Sequence, residues 1–133
     1  FAFTISSVKR AQITATDAAR RLDLSQTGDG LVALYEQGQR HHDQMTSSAY
    51  FGEASPDQFI AKEWIRPVTR FLEEHVGSAQ AKAFLVGDGL PAPSEHEIKQ
   101  FTYPIALARC HVRGRLTRLH TIMLDLPKLL PPK

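Results

Sequence analysis

The chain has 133 residues, and its length and composition fit one globular domain with no room for a second. Hydrophobic residues make up 42% and charged residues 23% of the sequence, which excludes wholesale disorder, a collagen-like repeat and a disulfide scaffold. The formal net charge of +2 conceals an uneven distribution. Residues 1–97 carry nine Lys or Arg against thirteen Asp or Glu, whereas residues 98–133 carry seven against one. The basic C-terminal segment 98–133 is therefore a local source of positive potential.

The cysteine content and the hydropathy pattern predict a cytoplasmic protein with no membrane contact. Cys110 is the single cysteine, so no intramolecular disulfide can form, and a reducing compartment is expected. No apolar run approaches the roughly 18 residues of a membrane span, and no secretory signal pattern opens the sequence. The first residue is Phe, so the sequence is expected to be a piece of a longer chain.

Two helices and a glycine turn are expected in the first third of the chain. Apolar residues at helical spacing predict a helix over 4–25, with a start at Thr14 as the alternative. The segment 26–30 contains two glycines around an aspartate and predicts a turn. A second helix is expected over 31–46, followed by a polar and aromatic loop over 47–54.

The pair Ser55 and Pro56 is the clearest local signal, because it suits the N-cap and the first position of a helix. The apolar residues that follow predict a helix with Trp64 as a core anchor, closed by Gly77 in the left-handed conformation. Pro67 lies inside this helix and predicts a kink one turn earlier.

The longest periodic pattern lies in the last third of the sequence. Before it, the segment 78–86 fits either a short helix or a buried strand, and 87–93 is a linker rich in glycine and proline. Ser94 predicts the N-cap of a helix whose apolar residues repeat every three or four positions as far as Leu126. Pro104 is expected to bend this helix, and the residues from Leu126 onward are expected to form an extended tail.

These elements predict an all-α fold, a single-domain bundle over 1–133 with about four helices, kinked at Pro67 and Pro104. The expected core takes apolar residues from each helix. It includes Leu22, Leu34, Ile60, Trp64, Val68, Phe71, Ile105, Val112, Leu116 and Leu119.

The last helix carries the candidate binding residues. At 100° per residue its apolar set occupies an arc of about 80°, and its cations lie beside and beyond the edge of that arc. Guanidinium groups suit bidentate contacts with phosphate and carboxylate, so this face is a candidate site for phosphate or for an acidic protein. A solvated face, with arginine stems covering apolar surface, is the structural alternative. The candidate residues are Arg109, Arg113, Arg115, Arg118, His111 and His120.

No catalytic or metal-binding constellation is recognisable in the sequence. Neither a nucleophile elbow nor a phosphate loop occurs, and two glycine-rich segments lack the strand and helix that a dinucleotide site requires. The six histidines are not spaced to share a zinc ion with a third ligand. We therefore expect no metal, no cofactor and no enzymatic activity.

Association is the function that these patterns favour. Long amphipathic helices without a catalytic constellation predict an interaction, assembly or sensing domain that binds a protein partner or a second copy of itself. Binding of nucleic-acid or nucleotide phosphate through the basic last helix is the alternative.

The order of apolar residues also resembles a helical accessory module of bacterial anti-phage and mobile-element proteins. The resemblance covers residues 31–126 and implies an accessory or sensing role rather than catalysis. The matching positions are Trp64, Val68, Phe71, Leu72, Gly77, Ser78, Phe84, Leu116 and Leu119.

Overall fold

The computed structural model describes the backbone of residues 2–129 and the side chains of residues 23–129. This part of the chain contains five α-helices, a short 3-10 helix (Ser48–Phe51) and no strand, so the all-α prediction is confirmed. The helices are α1 (Ala2–Gln44), α2 (56–75), α3 (Ser78–Leu85), α4 (Glu95–Phe101) and α5 (Tyr103–Leu129).

Helix α1 is continuous over 43 residues, so the predicted turn at 26–30 is wrong. The two helices expected over 4–25 and 31–46 are a single helix that ends at Gln44. The predicted core position Leu22 lies outside the described side chains.

Glycines on α1 lie where other helices approach it most closely. A Cβ atom on Gly30 would collide with the Phe71 ring, and a Cβ atom on Gly38 would collide with the Trp64 ring. At Gly28 the approach is looser, because a Cβ atom there would lie 3.8 Å from Leu126 Cδ2 of α5, an ordinary packing distance. Packing at these points compensates for the low helix propensity of glycine, so the helix continues where the sequence predicted a turn.

Helix α2 begins as predicted and changes its hydrogen-bonding pattern before Pro67. Ser55 is the N-cap, its side chain accepts a hydrogen bond from the first turn, and Pro56 occupies the first position. Ala61–Ile65 is a π-helical turn within α2. Pro67 has no N–H to donate to the preceding turn, so the predicted irregularity takes this form. Gly77 follows the helix with φ of +154° and ψ of 156°, an extended glycine conformation rather than the predicted left-handed one.

The segment that fits either helix or strand is helix α3, and the linker over 87–93 is confirmed as non-helical. This linker packs on α5 at Gly114. A Cβ atom there would lie 2.7 Å from Leu90 Cδ2 and 2.6 Å from Pro91 Cδ. The absence of a side chain at Gly114 thus allows the linker to pack directly against α5.

The irregularity predicted at Pro104 is a break between α4 and α5 rather than a bend within one helix. Thr102 separates the two helices with φ of +74°. Its N–H donates to Ile98 O at 2.9 Å, and its carbonyl accepts from Ala106 N at 3.0 Å, so it ends one helix and begins the next. Pro104 falls in the first turn of α5, where a missing N–H is tolerated.

Helix α5 continues through Pro127 to Leu129, so the prediction of an extended tail from Leu126 is wrong up to that point. The rest of the predicted tail, residues 130–133, lies outside the described residues.

The core lies among α1, α2, α3 and α5, around Trp64. This side chain is fully buried, its Nε1 donates to Leu34 O at 2.8 Å, and its ring meets Phe84 edge-on with centroids 5.6 Å apart. The predicted anchor role of Trp64 is confirmed. Leu34 and Phe71 are half-buried, whereas the remaining described core predictions are buried. These are Ile60, Val68, Ile105, Val112, Leu116 and Leu119.

None of the described helices is both long enough and apolar enough to span a membrane.

Candidate functional site

The six candidate residues lie along α5 and point to different parts of the fold. Two arginines converge on Glu97, two converge on the C-terminal end of α3, and the two histidines lie apart from both groups. We refer below to Arg109, Arg113, Arg115 and Arg118 as the α5 arginines. They do not surround one common ligand position.

The first convergence is an ion pair between α4 and α5. Arg113 Nη1 donates to Glu97 Oε1 at 3.0 Å, and Arg113 Nη2 donates to Glu97 Oε2 at 2.7 Å. Ser94 Oγ accepts from Glu97 N at 3.2 Å, which confirms Ser94 as the predicted N-cap and forms half of a capping box. The carboxylate turns to the guanidinium instead of completing that box. The hydrogen bond from Arg113 holds the pKa of the Glu97 carboxyl below its ordinary value.

Arg109 ties this ion pair to the C-terminal end of α1. Its Nη1 donates to the carbonyls of His42 and Met45, the second at 3.3 Å. Its guanidinium carbon lies 4.3 Å from the centroid of the Phe101 ring. Carbonyls at the end of a helix lack N–H partners and carry partial negative charge, so a cation stabilises them. Burial lowers the pKa of Arg109.

The second convergence caps helix α3. Arg115 is 8% exposed, and its Nη2 donates to Leu85 O at 3.0 Å. We expected the cations of α5 to lie on its free surface, and this is wrong for Arg115, which is buried. Burial lowers the pKa of Arg115. Arg118 donates to four backbone carbonyls at the end of α3 and in the following linker. These belong to Ala83, Phe84, Val86 and Asp88.

The histidines and the cysteine occupy separate surroundings. His111 Nδ1 lies 4.0 Å from Asp57 Oδ1, and burial lowers the pKa of His111. The exposed His120 ring lies 6.1 Å from the Tyr35 ring. Cys110 is a buried free thiol, and burial raises its pKa. No group of three His, Cys, Asp or Glu within the described side chains is placed to hold a metal ion.

Three cations that sequence reasoning missed lie in a row on α2. Lys62, Arg66 and Arg70 are exposed and follow one another at four-residue spacing. None of them makes a hydrogen bond or ion pair with a described residue. We call them the α2 cation row. The four-residue spacing of these cations is present in the sequence, but they lie within residues 1–97, whose net charge is negative and does not indicate a basic surface.

The α2 cation row lines a cleft of about 480 Å³. Pro67 and Phe71 contribute its apolar lining, and Glu74 lines it one turn beyond the cations. Basic and apolar groups thus share one concave surface.

A second concave surface, the α3–α5 groove, lies between helices α3 and α5. It has a volume of about 430 Å³ and is lined by Ala83, Phe84, Val86, Arg118, Thr121 and Ile122. All but two of these side chains are apolar.

No protein-family model, no curated protein and no solved structure matches this chain. The resemblance to a bacterial accessory module and the binding role of the six α5 residues stay predictions.

Proposed function

We propose that the domain acts by association, as a non-enzymatic helical module that pairs with a second copy of itself through the α3–α5 groove. The observation that carries the proposal is the self-complementary pattern of charge on the face of α5 that lines this groove. Two features support the pairing: apolar exposure and the order of the charges.

Apolar side chains are exposed around the groove. Val86 lines it and is 46% exposed, and the adjacent Leu85 is 48% exposed. Leu124, on the last turns of α5, is 69% exposed. Exposed apolar side chains on the two helices that form the groove support an interaction site, because their burial on association is favourable.

On α5 a cation that lines the groove and an anion one turn beyond the groove lie on either side of a neutral centre. Arg118 and Asp125 are seven residues apart, which places them on the same face about 10 Å apart along the helix. Thr121 and Ile122 lie between them and line the groove.

This order of charges fits an antiparallel pair of α5 helices. A two-fold axis between Thr121 and Ile122 would set Asp125 of each copy opposite Arg118 of the other. Arg118 keeps its hydrogen bonds to the carbonyls at the end of α3, and because those carbonyls are neutral its positive charge remains available to the partner's carboxylate. An isologous interface requires such self-complementarity, so a second copy is the occupant that the groove fits.

Cysteine cross-linking tests the position of the axis. We expect Thr121→Cys to form an intermolecular disulfide under mild oxidation, because the two copies of residue 121 would lie beside the axis. Ser47→Cys, at an exposed site far along the chain from the groove, is the matched control and should stay largely monomeric on a non-reducing gel. Equal cross-linking of both variants would argue for random collision.

Sedimentation equilibrium tests the pairing itself. We expect the mass of the unmodified protein to shift from monomer to dimer with concentration, and Asp125→Lys to weaken the dimer at least tenfold, because it creates two like-charge contacts. Glu53→Lys makes the same charge change at an exposed site outside the groove and should leave the dissociation constant within twofold. A protein that stays monomeric at all concentrations overturns the proposal.

A further inference from the structure

The α2 cation row is charged surface that forms no ion pair with a described side chain. Glu74, the carboxylate that lines the same cleft, lies one turn beyond Arg70. Like charges four residues apart on a helix repel one another and destabilise it. Arg113, by contrast, has Glu97 as a bidentate partner. Lys62, Arg66 and Arg70 have no partner among the described side chains, so an external anion is the group that would relieve their repulsion.

The cations stand beside an apolar surface held in place from two sides. The Phe71 ring packs against α1 at Gly30 and lies 4.4 Å, centroid to centroid, from the His75 ring. Pro67 adds a rigid ring one turn earlier. The half-buried Phe71 ring also lines the cleft, and an aromatic ring in such a position is suited to stack against a planar group of a ligand.

The backbone beneath the row is irregular. The π-helical turn Ala61–Ile65 contains Lys62 and immediately precedes Arg66. π-Helical turns are rare and occur frequently at functional sites, where they displace side chains from regular helical positions. Here the π-helical turn displaces Lys62 from the position that a regular α-helix would give it relative to Arg66 and Arg70.

The size of the site limits its ligand. The row spans about 12 Å along α2, and acidic residues follow it at Glu73 and Glu74. A long polyanion that continued along the helix would meet these carboxylates. The cleft volume of about 480 Å³ falls within the range of small-molecule sites, roughly 300–1,000 Å³.

We propose that this cleft binds a small ligand in which a chain of phosphates is joined to a planar ring, as in a nucleoside triphosphate. Lys62, Arg66 and Arg70 hold the phosphates, with the two guanidinium groups donating to phosphate oxygens. The planar ring lies over Pro67 and Phe71. The carboxylate of Glu74 accepts hydrogen bonds from hydroxyl or amino groups of the organic part. This site does not depend on self-association.

Isothermal titration calorimetry with ATP, inorganic tripolyphosphate and AMP, in the absence of divalent cations, tests the assignment. ATP should bind at least tenfold more tightly than AMP, because AMP offers one phosphate to three cations. ATP should also bind more tightly than tripolyphosphate, which lacks a ring to cover Phe71. Equal affinity for ATP and AMP, or absence of ATP binding, overturns the proposal.

Charge-removing variants test the location. The double variant Arg66→Gln with Arg70→Gln should weaken ATP binding at least tenfold. The matched control, Lys99→Gln with Lys128→Gln, removes the same charge from exposed sites elsewhere and should change affinity less than twofold. An equal loss in both would assign binding to the overall charge, which contradicts a defined site.

A single-stranded DNA oligonucleotide distinguishes a small-ligand site from a nucleic-acid surface. We expect a ten-nucleotide strand to bind no more tightly than ATP, because the acidic residues after the row oppose an extended backbone. Binding more than tenfold tighter than that of ATP, with a log–log salt slope near −0.7 for each phosphate held, would overturn the small-ligand assignment.

Discussion

The α5 arginines and the α2 cation row contain the same kinds of side chain, yet the fold uses them in opposite ways. Arg113 pairs with a carboxylate, and Arg118 donates to carbonyls at the end of a helix. Lys62, Arg66 and Arg70 face solvent with no partner in the part of the chain whose side chains are described. Positive charge counted along a sequence therefore does not reveal whether a guanidinium is committed to the fold or available to a ligand.

The difference arises from where other helices end. The last four carbonyls of a helix have no N–H partner within it. Helices α1 and α3 both end beside α5, so its arginines supply the missing donors. Among the described residues no carboxylate forms an ion pair with the α2 cation row, and Glu74 lines the same cleft one turn beyond Arg70. The two regions should therefore respond differently to loss of charge.

The largest effect is expected from Glu97→Ala, which leaves Arg109 and Arg113 close together without their shared carboxylate. The Glu97 side chain is 13% and the Arg113 side chain 40% exposed, so the pair lies between a buried and a solvent-screened ion pair, and we expect a loss of about 2–3 kcal/mol. Urea denaturation measures the loss. Glu95→Ala, an exposed acid of the same helix, should change the free energy of unfolding by less than about 0.5 kcal/mol. Similar losses in both variants would show that the ion pair contributes nothing specific.

A smaller loss is expected from Arg118→Gln, because the shorter side chain cannot reach the carbonyls at the end of α3. A hydrogen bond to a charged group contributes about 1.5–3 kcal/mol, but most of these carbonyls are exposed to solvent, so we expect a total loss of only about 2 kcal/mol. Lys128→Gln is the control on the same helix. A stability equal to that of the control would mean that Arg118 is free for a ligand after all.

Acidification should weaken the fold in two steps. Burial lowers the pKa values of His41 and His42, so below about pH 6.5 the unfolded chain takes up protons more readily and stability falls. The lowered pKa of Glu97 adds stability that is present above the ordinary carboxyl range and is lost as the pH falls through the folded value.

Urea denaturation at a series of pH values separates these steps. His42→Gln should flatten the first step, and Glu97→Gln should flatten the second. A free energy of unfolding that rises between pH 7 and pH 5 would contradict the direction of the histidine shifts.

The smallest effect on stability is expected from the double variant Arg66→Gln with Arg70→Gln. These side chains are exposed and form no hydrogen bond or ion pair with a described residue. The free energy of unfolding should therefore change by less than about 0.5 kcal/mol. A gain is the more informative direction, because it would measure relief of like-charge repulsion within the row. A loss above about 1 kcal/mol would show that the α2 cation row, like the α5 arginines, stabilises the fold.

Local signals in the sequence account for much of the fold. Ser55 and Ser94 cap helices where predicted, since each cap depends on a few neighbouring residues. The continuity of α1 could not be predicted, because it depends on side chains of α2 and α5 that fill the space beside its glycines. The break falls at Thr102, whose φ of +74° is uncommon for a residue other than glycine, so residue preferences do not place it there.

The candidate site was less predictable than the fold. Helical periodicity places an arginine on a face of its own helix, but it does not show which other helix ends against that face. Arg115 is buried against α3 for this reason. The α2 cation row was recognisable from its four-residue spacing alone. Its missing partners become evident only when the carboxylates around it are located in three dimensions.

The glycines at positions 28, 30 and 38 make α1 dependent on its neighbours. In a helix interior each glycine costs about 1 kcal/mol relative to alanine, so this stretch has little tendency to be helical in isolation. The same glycines receive Phe71, Trp64 and a leucine of α5, which only the assembled core supplies. Ordering of the α1 backbone and docking of α2 and α5 are therefore one cooperative event. The amides of α1 beside these glycines should exchange with solvent only when the whole core opens.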